Sequence, residues 1–259
     1  MKLQDKVTFI TGAGAGAGKA IAEAFAAEGA KVILGDINEK TLGATVKELQ
    51  EKGCEASGIK MDVSKEEDWL KACNFISEKY GILNTLVSNA GILLEKKLVD
   101  TTFEEWNRVI SINLSAGFLA AKHLYPVLKA SGNASIIYTV SDASEMGFPD
   151  YSAYGASKCG LKGLAKYIAA EFVHDNIRVN TVHPGYIDTP MMRAACGGVD
   201  SIQGMDLYKN PLGRILKPEE VANTMVFLAS DDATNIDGSA IVMDGGGSSF
   251  VAVSVLDER

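Results

Sequence analysis

Seven short apolar runs recur along the chain, at about residues 7–10, 31–34, 56–61, 83–87, 135–140, 178–182 and 240–243. Stretches of helical periodicity separate most of them. A strand that leads through a helix into a second strand pairs with it in parallel, by a right-handed crossover. This alternation implies an α/β fold: a doubly wound parallel sheet of about seven strands, with helices on both faces and a nucleotide crevice at the strand carboxyl ends. The composition agrees. The chain is 47% hydrophobic but only 7% aromatic, so its core is aliphatic, which suits strands covered on both sides. No Pro/Ser-rich or charged linker interrupts the 259 residues. A single domain is expected, with a cofactor half over about 1–150 and a catalytic helix, lid and carboxyl-terminal part over about 151–259.

Local signals set the helix limits. The first helix reads from Ala20 to Ala27, with Ile21, Ala24 and Phe25 on one face and Gly29 as its stop. Asn38 is an expected N-cap, and Ser64 with Glu67 reads as a capping box. Residues 102–129 form one long helical pattern with a bend near Asn113. Residues 190–216 have no clear period and read as a loop or lid, and Pro218 opens a further helix.

Several function classes are disfavoured. A net charge of −8 opposes nucleic-acid binding, which needs a basic face. No apolar stretch is long enough to span a membrane, and Met1 to Lys6 does not resemble a signal peptide. Cys54, Cys73, Cys159 and Cys196 show no CxxC pairing, as expected for reduced thiols of a cytoplasmic protein. His123, His174 and His183 lack metal-ligand spacing, so no metal is expected.

Two stretches carry chemistry. Thr11-Gly12-Ala13-Gly14-Ala15-Gly16-Ala17-Gly18 joins the first strand to the first helix and fits TGxxxGxG, with Ala17 where GxGxxG would require a third glycine. Glycines there let the backbone approach a pyrophosphate, and the helix N-terminus attracts its charge. Alone, the stretch is also a flexible Gly/Ala turn. Asp36 lies 20 residues past Gly16 at the end of the second strand, where a carboxylate can hold both ribose hydroxyls and repel a 2′-phosphate. With no Arg in the loop, NAD is the expected cofactor. Ile37, Asp62 with Val63, and Asn89-Ala90-Gly91 close the next strands and are further candidates for the nucleotide. The second stretch is Tyr154-Gly155-Ala156-Ser157-Lys158. A Tyr and a Lys four apart share a helix face. An ammonium beside a phenol favours the phenolate, which suits the phenol to acid–base work.

Taken together, Thr11-Gly-x3-Gly-x-Gly18, Asp62, Asn89-Ala-Gly91, Ser141 with Tyr154-x3-Lys158, and Pro184-Gly185 resemble the short-chain dehydrogenase/reductase family over residues 5–247. The resemblance implies a Rossmann fold and the catalytic set Asn113, Ser141, Tyr154 and Lys158. Tyr154 would be the acid/base. Lys158 would lower its pKa and hold the nicotinamide ribose, Ser141 would bond the substrate oxygen, and Asn113 would hold a relay water. Ser144 is a nearby competitor for the role of Ser141. Pro184, Gly185, Ile187 and Thr189 would hold the nicotinamide. Ala17 and Ser88 depart from the family's commoner residues without removing a polar group from catalysis.

Met146, Phe148, Tyr151, Tyr186, Met191, Met192 and Met205, with Ser141 and Tyr154, are the substrate candidates. They suit a hydrophobic secondary alcohol or ketone, either a hydroxysteroid or a cyclic or small alcohol. Two alternatives stand beside this reading: an NADP-linked 3-oxoacyl-carrier-protein reductase, and a non-catalytic nucleotide-binding sensor or scaffold. A homotetramer is also expected. The helices at about 102–129 and 152–174 carry many small residues (Ala116, Gly117, Ala120, Ala121, Ala165, Ala169 and Ala170), the tail 248–256 is apolar, and the family commonly pairs these two helices between subunits.

Overall fold

The computed structural model describes residues 1–198 and 211–249. Its strands are β1 (Val7–Thr11), β2 (Lys31–Asp36), β3 (Ala56–Lys60), β4 (Thr85–Ser88), β5 (Ala134–Thr139), β6 (Ile177–Pro184) and β7 (Ala240–Met243). All pair in parallel, in the order β3-β2-β1-β4-β5-β6-β7. The order reverses between β1 and β4. Chain segments leaving these two strands therefore diverge and open a crevice at their carboxyl ends.

Helices α1 (Gly16–Ala27), α2 (Glu39–Glu51) and α8 (Pro218–Ala229) cover one face of the sheet. Helices α3 (Glu66–Lys79), α5 (Ala116–Ala130) and α6 (Ser152–Phe172) cover the other. Successive strand residues point to opposite faces. Phe9, Ile33, Leu86 and Ile136 join Trp69, Leu124 and Leu161 in one core. Their neighbours Ile10, Leu34, Val87 and Ile137 join Phe25, Leu49 and Met225 in the other. Burial on both faces explains why the strands read as continuous apolar runs rather than alternating ones.

Three local expectations change. The first helix begins at Gly16 rather than Ala20, because the glycine turn itself supplies its first turn. Ser64 and Glu67 do not form a capping box. Ser64 turns both its N–H and its hydroxyl onto the Asp62 carboxylate, at 2.9 and 2.7 Å, and α3 starts at Glu66 without a side-chain cap. A capping box forms instead at Thr102 and Glu105, ahead of α4 (Phe103–Ile110). The stretch 190–216 is not all loop, since α7 (Pro190–Ala195) forms with Thr189 as its N-cap. Asn38 caps α2 and Pro218 opens α8 as expected. The bend near Asn113 is a π-helical turn, Ser111–Ser115, between α4 and α5.

The glycine turn is tight for a steric reason. A Cβ on Gly18 would lie 2.0 Å from the Gly12 carbonyl oxygen. Gly43 on the exposed side of α2 has nothing within 4 Å of the same position. Gly18→Ala should cost roughly 1–3 kcal/mol of stability by overpacking. Gly43→Ala should gain roughly 0.5–1 kcal/mol by helix propensity. Thermal melts of the two variants beside wild type check this, and equal melting temperatures would contradict it.

Candidate active site

A cavity of about 450 Å³ follows the crevice along the strand carboxyl ends. Its wall includes Gly12, Gly16, Ala17 and Gly18 after β1, Asp36 and Ile37 after β2, and Asp62 and Val63 after β3. It continues with Asn89, Ala90 and Gly91 after β4 and Pro184, Gly185, Ile187 and Thr189 after β6. The fold thus brings every residue expected at the nucleotide to one surface. α1 has no side-chain cap at Ala15, so its first-turn N–H groups are available to an anion. Gly12 (φ +67°) and Gly16 (φ +55°) adopt left-handed backbone, and a Cβ on Gly12 would strike the Ala90 Cα at 2.9 Å. This cradle fits a dinucleotide pyrophosphate.

Asp36 closes the glycine loop onto β2. One carboxylate oxygen accepts the Gly14 N–H at 2.9 Å and the other the Asn38 N–H at 2.8 Å. A carboxylate has about four acceptor positions, so capacity remains for ribose hydroxyls. Asn89-Ala90 is pinned to β1, where the Thr11 hydroxyl accepts both N–H groups, at 3.0 and 3.1 Å. Thr189 accepts the Met192 N–H as a cap, so any bond to a ligand would use its hydroxyl proton.

Tyr154, Ser141 and Lys158 meet at the inner end of the cavity. Helix α6 carries Tyr154 and Lys158 one turn apart, with the Lys158 ammonium 5.7 Å from the Tyr154 ring centre. Ser141 lies two residues past β5 and caps a short 3-10 turn, Asp142–Ser144. The expected lowering of the Tyr154 pKa is not found in the protein alone. Burial pushes the phenol up to about 12, against a hydrogen bond from Ser141 that favours the phenolate. Burial also brings the Lys158 ammonium down to about 8. Lys158 is only 4% exposed, and it donates to the Thr139 carbonyl at 2.8 Å.

Asn113 is buried in the π turn. Its carbonyl oxygen accepts the Ile92 N–H at 2.9 Å, and its amide donates to the Ile92 carbonyl at 2.9 Å and to Ser157 at 3.1 Å. This side chain ties the β4 segment to α6, and its oxygen, near the Lys158 ammonium beside Gly91, keeps one acceptor position. Ser144 is occupied elsewhere. Its hydroxyl donates to the Ser141 carbonyl at 2.8 Å and lies 2.8 Å from the His183 ring. It does not line the cavity, which leaves Ser141 as the serine at the site.

Phe148, Tyr151, Tyr186, Met191 and Met192 line the outer part. Tyr151 stands edge-on to Tyr154, with ring centres 6.2 Å apart, and donates to Glu95 at 3.2 Å. Met146 does not line this cavity. It faces a smaller one beside Asp142, Tyr186 and Asp244 instead, because the 3-10 turn swings it behind Ser141. Met205 lies outside the described residues. Sequence reasoning missed Thr139, Asp142, Ile92, Leu93 and Arg108, all of which line the main cavity. Ile92 and Leu93 follow directly on Asn89-Ala90-Gly91, and Asp142 is adjacent to Ser141. Thr139 has no sequence signal of its own.

Known proteins resemble the chain over nearly its whole length. Residues 12–248 match a family model described as enoyl-(acyl carrier protein) reductase. The chain is 38% identical over 246 residues to cyclohexanol dehydrogenase of Acinetobacter sp. (strain SE19), covering 94% of this chain and 95% of that one. It is equally 38% identical to the 3-oxoacyl-(acyl-carrier-protein) reductase FabG of Thermotoga maritima (strain ATCC 43589 / DSM 3109 / JCM 10099 / NBRC 100826 / MSB8), covering 95% and 99%. The crystal structure of levodione reductase superposes with a TM-score of 0.91 at 31% identity, covering 96% of this chain and all of that one. With its parallel sheet, glycine cradle and Ser141, Tyr154 and Lys158 at one wall, the chain belongs to the short-chain dehydrogenase/reductase family of nicotinamide-dependent oxidoreductases.

Proposed function

We propose that the protein transfers a hydride between NAD(H) and a secondary alcohol or ketone carried on a small hydrophobic ring. The observation that carries this is the joining of Ser141, Tyr154 and Lys158 to an outer wall of Phe148, Tyr151, Tyr186, Met191 and Met192. Tyr154 gives a proton to the ketone oxygen, or takes one from the alcohol. Ser141 orients that oxygen, and Lys158 holds the nicotinamide ribose and supplies positive charge. The cofactor, when bound, supplies the hydride donor or acceptor, and its oxidised ring adds positive charge that favours the Tyr154 phenolate.

Relatives at 36–38% identity include enzymes named for cyclohexanol, cyclopentanol and trans-4-hydroxycyclohexanecarboxylate, which supports a cyclic substrate. A hydroxysteroid belongs to the same chemical class but has no such support. Identity alone does not separate this reading from a carrier-protein reductase. Two cations of the flanking segments are paired within the chain, Arg193 with Asp188 at 2.7 Å and Lys96 with Glu105 at 2.9 Å, while Arg108 lines the cavity, so charge does not separate the two readings either. A scaffold that merely binds nucleotide has no need of the complete catalytic set.

A panel of cyclic alcohols with NAD should give NADH formation at 340 nm in wild type. Tyr154→Phe should reduce kcat by roughly a thousandfold and leave cofactor affinity largely intact. A wild type inert across alcohols and ketones would overturn the enzymatic reading in favour of the scaffold.

NAD is preferred to NADP because Asp36 faces the cavity at the end of β2. Asp36→Ala should lower kcat/KM with NAD by roughly tenfold, the loss of a charged hydrogen bond, and raise it with NADP. A wild type that uses NADP as well as NAD would defeat the assignment.

The assembly is proposed to be a homotetramer, but on a revised argument. Ala116, Gly117, Ala120, Ala121, Ala165 and Ala169 are buried within the subunit and cannot form the contact; Ala170 alone of the seven is exposed. The large apolar side chains exposed along residues 102–129 and 152–174 are Phe103, Phe118, Tyr167 and Val173, at 78%, 50%, 74% and 50%. The tail from residue 250 onward lies outside the described residues. Light scattering should give about four times the chain mass, and a particle of 27.5 kDa would exclude the assembly.

A further inference from the structure

Asp142 is a buried carboxyl in direct contact with Ser141, and the reaction described above does not use it. We propose that Asp142 controls which way Ser141 presents its hydroxyl proton, so that protonation of this one carboxyl turns Ser141 into a donor toward the substrate oxygen. The inference rests on the reading of Ser141 and Tyr154 given above.

The argument is one of hydrogen-bond capacity. A serine hydroxyl has one proton and two lone pairs. The Ser141 Oγ accepts the Ala143 N–H at 3.2 Å and lies 2.9 Å from an Asp142 carboxyl oxygen. An ionised carboxylate can only accept, so that contact takes the single Ser141 proton. What Ser141 then offers Tyr154 and the cavity is a lone pair, which cannot donate to a ketone oxygen; its bond that favours the Tyr154 phenolate needs the same proton and so belongs to the protonated state of Asp142. If Asp142 is protonated, its O–H donates to the Ser141 Oγ. Both lone pairs are then filled, by Asp142 and Ala143, and the Ser141 proton is left to point into the cavity. A solvent proton joins the Asp142 oxygen, and no bond to carbon changes.

The surroundings place this exchange within reach. Asp142 is 9% exposed, and its other oxygen lies 3.3 Å from where a Gly185 Cβ would be, as does the Cβ of Asp244 beyond β7. Burial pushes the Asp142 carboxyl up to about 6. Hydrogen bonds from Ser141 and the Ala143 N–H work against that rise, and the Asp244 charge adds to it. Burial raises Asp244 too, but bonds from Ser248 and the Gly246 N–H outweigh it and keep Asp244 ionised. The other titratable groups about the turn are committed. On β6, burial first of all brings His183 down to about 4, so it is neutral. Glu145 pairs with Lys162 of α6 at 2.7 Å and with the His183 ring at 2.7 Å. On α6, Lys158 donates to Thr139, and Tyr154 feels the Asp142 charge as a further push against its phenolate. Asp142 is therefore a positioning residue with two proton states near neutrality.

The test is NADH-dependent reduction of cyclohexanone as a function of pH. In wild type, kcat/KM should rise roughly tenfold as pH falls from about 7.5 to about 5, with a limb near the Asp142 titration. Asp142→Asn cannot titrate, and its amide can donate to Ser141 as the protonated acid does. Its profile should be flat over that range, at the wild-type acid-side level. A limb that persists in Asp142→Asn, or is missing from wild type, overturns the inference.

A second readout needs no turnover and no folded Asp142 variant. In protein labelled with 13C at the aspartate carboxyls, the Asp142 resonance is the one perturbed at Ser141→Ala. Its titration midpoint should lie clearly above the ordinary carboxylate range in wild type and move higher in Ser141→Ala, which loses the bond that favours the carboxylate. A midpoint in the ordinary range, or one unmoved by Ser141→Ala, also overturns the inference. A wild type inert toward cyclic ketones would instead sink the proposed function, and the carboxyl titration would still decide the role of Asp142.

Discussion

A line of hydrogen bonds crosses the carboxyl ends of three strands, and the site depends on it. The Thr11 hydroxyl at the end of β1 accepts the Asn89 and Ala90 N–H groups that follow β4. The Asn89 amide donates back to the Thr11 carbonyl at 3.2 Å, and its oxygen accepts the Thr139 hydroxyl of β5 at 3.2 Å. The Thr139 carbonyl accepts the Lys158 ammonium from α6. The glycine cradle and Lys158 thus belong to one bonded frame, although Lys158 lies 147 positions after Thr11 in the chain. Parallel strands make this possible, since their carboxyl ends all lie on one edge where backbone groups leave the ladder and need other partners.

The same frame holds a group in an unfavourable state. Burial brings Lys158 from 10.5 down to about 8, so folding favours the neutral amine relative to the unfolded chain, while the ammonium stays the major form at neutral pH. The stabilising effect of that preference is complete above the unfolded value and is lost as pH falls through the folded one. At neutral pH the ammonium form therefore costs the fold some stability. The bond to Thr139 offsets part of this. A charge in a poorly solvated niche also suits a neighbourhood whose polar groups are bonded, with Asn113 making three bonds in the π turn.

Much of this was legible because it rests on backbone. The strands are buried on both faces, so their apolar runs mark them without ambiguity, and the glycines that permit a close approach have no substitute. The positions of Asp36, Asn89-Ala90-Gly91 and Tyr154-x3-Lys158 relative to the strands were therefore readable. Side-chain competition was not. Ser64 had the spacing of a capping box, but Asp62 offered its hydroxyl a charged acceptor two residues away, and the charged acceptor won. The direction of Met146 depended on a 3-10 turn too short to have a period. The alanines of α5 and α6 were read as a contact between subunits, yet they serve the close approach of these helices to their own sheet, with Gly117 against Leu161 and Tyr138. The lowering of the Tyr154 pKa failed for a different reason. It counted the nearby charge and omitted the burial that the same packing imposes.

The two halves of the cavity are built by different physics. The nucleotide half is shaped by backbone: left-handed glycines, strand ends, and N–H groups bonded to Thr11 and Asp36. Side-chain changes elsewhere leave such a surface in place. The other half is shaped by side chains on two segments that project past the sheet, 148–151 after β5 and 186–192 after β6. Phe148, Tyr151 and Tyr186 supply rings, and Met191 and Met192 supply flexible apolar ends that adapt to irregular shapes. The 148–151 segment is joined to the 92–96 stretch after β4 by the Lys96 N–H to the Asp150 carbonyl at 2.7 Å and by Tyr151 to Glu95. A change in one of these side chains alters the shape offered to the substrate without disturbing the line from Thr11 to Lys158.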